Sequence, residues 1–185
     1  MRSTLLSALL ILTSLIACTE TDNGNEKPTV SPTKITEQSV TTGTEVGAVA
    51  PNFTMNDQFG KPVNLNQFKG KTVVIDFWAT WCPPCRKSIP FVKESYNKYK
   101  NNNVVFLGVS LDKAEGLDGW KEYIRDNGMD WVQVADGKFW DNKAAALFGI
   151  ESIPSLWVLD REGKIVGKNL FHDELEATIT KAIQQ

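Results

Sequence analysis

The chain has 185 residues and carries 20 Lys and Arg against 22 Asp and Glu, a formal net charge of −2 at pH 7. The basic residues are scattered among acids, which excludes a basic face for nucleic acid or an anionic membrane. Three cysteines and one histidine do not make a zinc site: Cys82 and Cys85 are half of one, and His172 stands far along the chain without a partner.

Met1-Arg2 gives a short positive start, and residues 5–16 are apolar apart from Ser7, Thr13 and Ser14. This is the core of a signal peptide, too short to cross a membrane. Leu15-Ile16-Ala17-Cys18 resembles the lipobox of bacterial lipoproteins, which implies cleavage after residue 17 and a lipid on the Cys18 thiol. The alternative is a plain secretory peptide with Cys18 unmodified, a liability on a secreted polar tail. Residues 18–46 are rich in Thr, Glu, Asp, Asn, Pro, Ser and Gly and contain no aromatic residue. Such a segment does not repay the entropy of ordering and is expected to be a disordered tether with a coil span on the order of 30 Å. Residues 47–185 remain as one domain, long enough for a sizeable core.

Within that domain, residues 53–55 and 62–65 flank Asp57-Gln58-Phe59-Gly60 as a small hairpin. Residues 73–78, Val-Val-Ile-Asp-Phe-Trp, read as a fully buried strand. A helix follows over 83–99, then a strand over 104–110. Residues 117–126 place Leu117, Trp120, Tyr123 and Ile124 at helical spacing, closed by Asn127-Gly128. A short strand at 131–135, a short helix at 142–148, strands at 156–159 and 164–167 around Asp160-Arg161-Glu162-Gly163, and a closing helix over 172–183 complete the chain. The alternation predicts an α/β fold, a central mixed sheet flanked by helices.

Trp81-Cys82-Pro83-Pro84-Cys85 stands where the buried strand hands over to the helix. A cysteine there meets free amide hydrogens and the positive end of the helix dipole, which favour its thiolate. The pattern predicts dithiol chemistry: Cys82, exposed at the start of the helix, attacks a disulfide, and Cys85, shielded inside the first turn, resolves the mixed disulfide. Prolines suit the first helical turn but have no N–H, so an amide bonding to Cys82 through this loop must come from Cys85 or beyond. That weakens one source of thiolate stabilisation. Arg86 and Lys87 offset it little, as a solvated helix face.

Ala50-Pro51-Asn52-Phe53, Gly60-Lys61-Pro62-Val63-Asn64-Leu65, Phe68-Lys69-Gly70-Lys71, Phe77-Trp78-Ala79-Thr80-Trp81-Cys82 and Ile153-Pro154 together resemble the TlpA/ResA-like thiol-disulfide oxidoreductases of the thioredoxin superfamily. The resemblance covers nearly all of residues 47–185. It implies a thioredoxin-like fold with an N-terminal hairpin and a central insertion around residues 117–126. It further implies reduction of protein disulfides outside the cytoplasm, including those of apocytochromes awaiting haem, with electrons drawn from a membrane partner and no cofactor. Asp76 aligns with the buried aspartate of thioredoxin and is expected to take the proton of Cys85; the alternative is a solvated aspartate at a strand edge. The resemblance makes the Ile153–Pro154 bond cis, beside the dithiol, with Ile153 offering its backbone to an extended substrate. Trp78 and Trp81 are expected on the apolar rim of Cys82. Trp81, Pro83, Pro84, Ile153 and Pro154 thus form the expected substrate surface, while Trp120, Trp131, Trp140 and Trp157 are expected in the core. Pro90 matches the kink proline of thioredoxin's active-site helix. One departure is the absence of a glutamate shortly after Cys85, where Arg86-Lys87-Ser88 stands.

Three other classes share parts of this pattern. A thiol peroxidase shares the Ala50-Pro51-Asn52-Phe53 opening, but Ala79 stands where its usual threonine precedes the reactive cysteine. A copper-delivery module of this fold needs another cysteine spacing and a ligand histidine. A non-catalytic binding lipoprotein predicts no disulfide turnover.

Overall fold

Seven consecutive residues, Thr72–Trp78, are all buried. The apolar run contains no turn residue, and a strand buried on both faces shows no alternation of polar and apolar positions. In the computed structural model, which describes residues 41–184, this strand (β3) lies inside a mixed sheet. Around it are β1 (Thr54–Asp57), β2 (Pro62–Asn64), β4 (Val104–Ser110), β5 (Val132–Ala135), β6 (Ser155–Leu159) and β7 (Ile165–Gly167). Among the described residues the sheet order is β2-β1-β5-β4-β3-β6-β7. β3, β4 and β5 run parallel, and the remaining pairs are antiparallel. Each fully buried Val, Ile or Phe contributes about 1.5–3 kcal/mol of apolar burial, so the centre of the sheet is the most heavily stabilised part of the molecule.

The helices are α1 (Pro83–Tyr99), α2 (Leu117–Asp126), α3 (Lys143–Phe148) and α4 (His172–Ile183). Strand parity assigns their faces. Asp76 and Trp78 share one face of β3, and Phe106 shares it through the β3–β4 register. On that face Tyr96 of α1 meets Phe106 and Tyr123 of α2 meets Trp78. α4 lies beside α1, joined to it by Tyr99–Thr180 and by Lys98–Glu176 at 2.6 Å. The opposite face carries Phe77 and Trp157, and both pack on Phe148 of α3. This is the mixed sheet with flanking helices, N-terminal hairpin and inserted helix of a thioredoxin-like α/β fold.

Local chemistry fixes the ends of these elements. In the β1–β2 turn, Asp57 Oδ1 accepts from the Phe59 and Lys61 amides. α3 is capped by Asn142, whose Oδ1 accepts from Ala145 N while its Nδ2 donates to Ser110 O and Asp136 Oδ1. Gly137 adopts φ 71, and a Cβ there would stand 2.9 Å from Ala114 Cα, so this turn needs glycine twice over.

The expected signal peptide (1–17), Cys18 and the tether as far as residue 40 lie outside the described residues. The last stretch of the expected tether is bound to the domain. Gly43 N donates to Val49 O, Val49 N donates to Thr41 O, and Glu45 pairs with Lys168 at 2.9 Å. Tertiary hydrogen bonds order a polar sequence that has no apolar pattern of its own. Among the described residues no helix is long and apolar enough to cross a membrane.

Candidate active site

β3 ends at Trp78, and the chain turns through Ala79-Thr80-Trp81 into α1. Asp112, just beyond β4, holds this turn: its carboxylate accepts from Thr80 N at 3.0 Å, Thr80 Oγ1 at 2.5 Å and Ser110 Oγ at 2.7 Å. Trp81 Nε1 donates to Leu111 O at 3.1 Å. The bonds tie the loop before the cysteines to the neighbouring strand, so the sulfurs sit on a rigid base. Sequence reasoning missed the roles of Thr80 and Asp112; an acid directly after an apolar strand was the one signal that could have found them.

Cys82 is the N-cap of α1 and Pro83 and Pro84 occupy its first turn. Cys82 and Cys85 are joined in a disulfide with their Cα atoms 5.3 Å apart. Among the described residues one backbone amide reaches Cys82 Sγ, that of Cys85 at 3.2 Å. Ile153 O lies 3.7 Å from Cys82 Sγ, and the Ile153–Pro154 bond is cis. Arg86 Nη1 turns back to Thr80 O at 3.1 Å, and Pro90 stays inside the helix on its exposed side.

The two sulfurs differ less in exposure than the sequence suggests. Cys82, expected to be open to solvent, is 3% exposed, and Cys85 is fully buried. Cover comes from the cis-proline loop on one side and the Trp81 turn on the other. Trp81 itself is 41% exposed and meets Phe139 and Trp140 at ring distances of 5.1 and 6.1 Å. Trp140, expected in the core, is 39% exposed because it sits on a single helical turn after Gly137, with Phe139 at φ 55. Trp78, expected on the rim, belongs to the core: it points into the face covered by α2 and donates to Gln133 Oε1. Trp120, Trp131 and Trp157 are buried. His172 stands at the exposed start of α4, stacked on Phe91.

Asp76 is 3% exposed and sits between β4 and β6 in the middle of the sheet, which rules out a solvated strand edge. Burial pushes its carboxyl up to about 7, because removing the charged form from water is costly. Oδ1 has no hydrogen-bond partner among the described residues. Among those residues no group of three or more His, Cys, Asp or Glu could hold a metal ion. A concavity of about 660 Å³ between the β1–β2 turn and α2 contains neither cysteine.

Two sulfurs at the N-terminus of a helix are equipped for thiol-disulfide exchange: joined in a disulfide they are opened by an outside thiolate, and as the reduced pair they attack an outside disulfide. Fold and site together define a thioredoxin-like thiol-disulfide oxidoreductase, an enzyme. The profile of the AhpC/TSA family matches residues 46–168. The chain is 32% identical to the thiol-disulfide oxidoreductase ResA of Bacillus anthracis over 122 residues, 66% of this chain and 68% of that one. ResA of Bacillus subtilis (strain 168) is 30% identical over 120 residues, 65% of this chain and 64% of that one. Among solved structures, the thioredoxin domain of a thiol-disulfide oxidoreductase from Bacteroides vulgatus matches with a TM-score of 0.68 at 37% identity, covering 75% of this chain and 98% of that one. A thiol:disulfide interchange protein from Bacteroides sp. matches with a TM-score of 0.65 at 35% identity, covering 79% of this chain and 92% of that one. The chain belongs to the AhpC/TSA family, among its ResA-like thiol-disulfide oxidoreductases.

Proposed function

We propose that this enzyme reduces protein disulfides outside the cytoplasm. The Cys82 thiolate attacks a substrate disulfide, forms a mixed disulfide and releases the first substrate thiolate. Asp76 takes the proton of Cys85; the resulting thiolate attacks Cys82 Sγ and expels the second substrate thiolate. The dithiol has then given up two electrons and stands as the Cys82–Cys85 disulfide, to be reduced again by a membrane donor. The substrate lies as an added strand along Ile153 and Pro154, with Trp81, Pro83 and Pro84 forming the rim. Apocytochromes awaiting haem attachment are one substrate class.

The observation that carries the reducing direction is the single amide, Cys85 N, at Cys82 Sγ. A strongly oxidising dithiol needs a well-stabilised thiolate, and Pro83 and Pro84 supply no donors for one. Redox titration of the Cys82/Cys85 pair checks this. We expect a midpoint near the roughly −270 mV of thioredoxin, and a value near the roughly −120 mV of the strong periplasmic oxidant would overturn it. Peroxide-consumption kinetics separates this reading from a peroxidase, which Ala79 at the position of the usual threonine also disfavours.

Residues 47–185 are the catalytic domain in this reading, residues 1–17 a lipoprotein signal peptide, and Cys18 the lipidated anchor at the head of the tether. The apolar stretch before Cys18 and the polar one after it support that arrangement. Cys18→Ser is expected to move the protein from the membrane to the soluble secreted fraction. Retention of that variant on the membrane, with no lipid mass on the wild type, would refute the anchor.

A further inference from the structure

Gly108 pairs with Asp76 across β3 and β4 and with Gln133 across β4 and β5. Partners in parallel strands direct their side chains to one face, so Asp76, Gly108 and Gln133 form one row, with about 4.8 Å from strand to strand. The middle position has no side chain, and Gln133 uses the space. A Cβ on Gly108 would stand 2.0 Å from Gln133 Oε1, 2.7 Å from its Cδ and 2.9 Å from its Nε2. The carboxamide therefore lies over the β4 backbone, next to the strand that carries Asp76.

Trp78 sets the orientation of this amide. An indole N–H only donates, and Trp78 Nε1 lies 3.1 Å from Gln133 Oε1, so the oxygen is committed to Trp78 and the NH₂ group is left over. Gln133 Nε2 is buried and finds no acceptor among the described residues; Asp76 Oδ1, on the same row, is buried and finds no donor. Buried polar groups are costly to leave unpaired; the two are not hydrogen-bonded to each other in this structure, and each has the chemistry that the other lacks.

We propose that Gln133 is the positioning residue of Asp76: when Asp76 ionises, the Gln133 Nε2 closes on the carboxylate, donates to it and holds the ionised form ready to accept the Cys85 proton. This rests on the reading of Asp76 as proton acceptor. Gly108 is the gap over which Gln133 lies, and Trp78, by holding Oε1, leaves the NH₂ free to donate. A donor to a carboxylate makes a charge-assisted bond that weakens on protonation, so the contact favours the ionised acid against its burial. Among the described residues no other group donates to Asp76 Oδ1. β3, β4, β5 and β6 carry no further charged residue. The titratable groups packed on this face are the phenols of Tyr96 and Tyr123, joined on reduction by Cys85, while α4 presents Leu175, Ile179 and Ala182.

The test is a carbon-13 NMR titration of the Asp76 carboxyl in the oxidised full chain, with the Trp78 indole N–H followed alongside. Gln133→Met keeps the volume and removes the donor; Gly108→Ala keeps Gln133 and fills its space. Both are expected to raise the Asp76 midpoint by about one pH unit, a tenfold loss of ionisation at fixed pH. In the wild type the Trp78 resonance is expected to follow the Asp76 titration through the carboxamide, and in Gln133→Met to lose that dependence. An unchanged midpoint in either folded variant, or a wild-type Trp78 resonance that ignores the titration, overturns the proposal. The wild-type arm decides even where neither variant folds. Normal resolving kinetics in Asp76→Asn would instead refute the proton-acceptor reading, while the midpoints would still report the contact.

Discussion

Cys85→Ser is expected to accumulate covalent complexes with its substrates, and Cys82→Ser to accumulate none. Cys82 caps α1, its Sγ accepts from an amide, and it carries what exposure the pair has. A thiolate there attacks an incoming disulfide whether or not the second cysteine is present. Without Cys85 the mixed disulfide has no internal nucleophile and persists. In Cys82→Ser the remaining thiol is fully buried and out of reach of a substrate disulfide. Disulfide-reductase turnover is expected to fall at least about a thousandfold in both variants, the order seen when a residue that acts as one member of a catalytic unit is removed. Non-reducing electrophoresis with mass analysis separates the two outcomes. Equal trapping by both variants would show that either sulfur can attack.

Asp76→Asn is expected to make the oxidised protein more stable, by an amount that depends on pH. The carboxyl is raised from 3.8 to about 7 by burial alone. Below about pH 4 the acid is protonated in the folded and unfolded chains alike, and the nearly isosteric asparagine differs little from it. Between about pH 4 and 7 the unfolded chain releases a proton that the folded chain keeps. The wild type therefore loses stability as pH rises through this window, at about 1.4 kcal/mol per unit. Above about pH 7 the loss levels off at roughly 4 kcal/mol. Asparagine does not titrate and escapes it. Chemical denaturation of both proteins at pH 4 and pH 8 measures the gap. A gap that is the same at both pH values, or larger at pH 4, contradicts a buried carboxyl with a raised pKa. The same substitution is expected to slow release of the mixed disulfide while sparing the initial attack, because only the resolving step needs Cys85 deprotonated.

Gain of stability with loss of function is the pattern expected of a group kept for chemistry against its solvation cost. In the sequence, Asp76 stood in an apolar run as an anomaly with two readings. Its strand has no alternation because both faces are covered, so local pattern alone left its surroundings open. The same limit affected the tryptophans. Trp78 and Trp81 are three residues apart around one motif, yet the last position of β3 points Trp78 into the face covered by the inserted α2. Trp81 falls on the turn beyond it and stays at the rim. Trp140 needed the tight turn at Gly137 and the left-handed Phe139 to reach the surface, and neither is a matter of hydrophobic spacing.

Elements with their own local signals were legible nearly to the residue. The cysteine-proline motif begins α1, Asn127-Gly128 closes α2, and Asn142 caps α3. Gln133 was the opposite case. A lone glutamine in a four-residue strand carries no pattern, and Gly108 in the next strand reads as a weakness until the two are placed side by side. The segment from residue 41 to 46 also lacked a signal, because its order comes from bonds to Val49 and Lys168.

Differential alkylation of the reduced enzyme tests the division of labour between the two sulfurs most directly. The reduced full chain is exposed briefly to a thiol-alkylating reagent at neutral pH, and the modified cysteine is located by peptide mass analysis. The account predicts modification of Cys82 well ahead of Cys85. Preferential modification of Cys85 would contradict the assignment of nucleophile and resolver together.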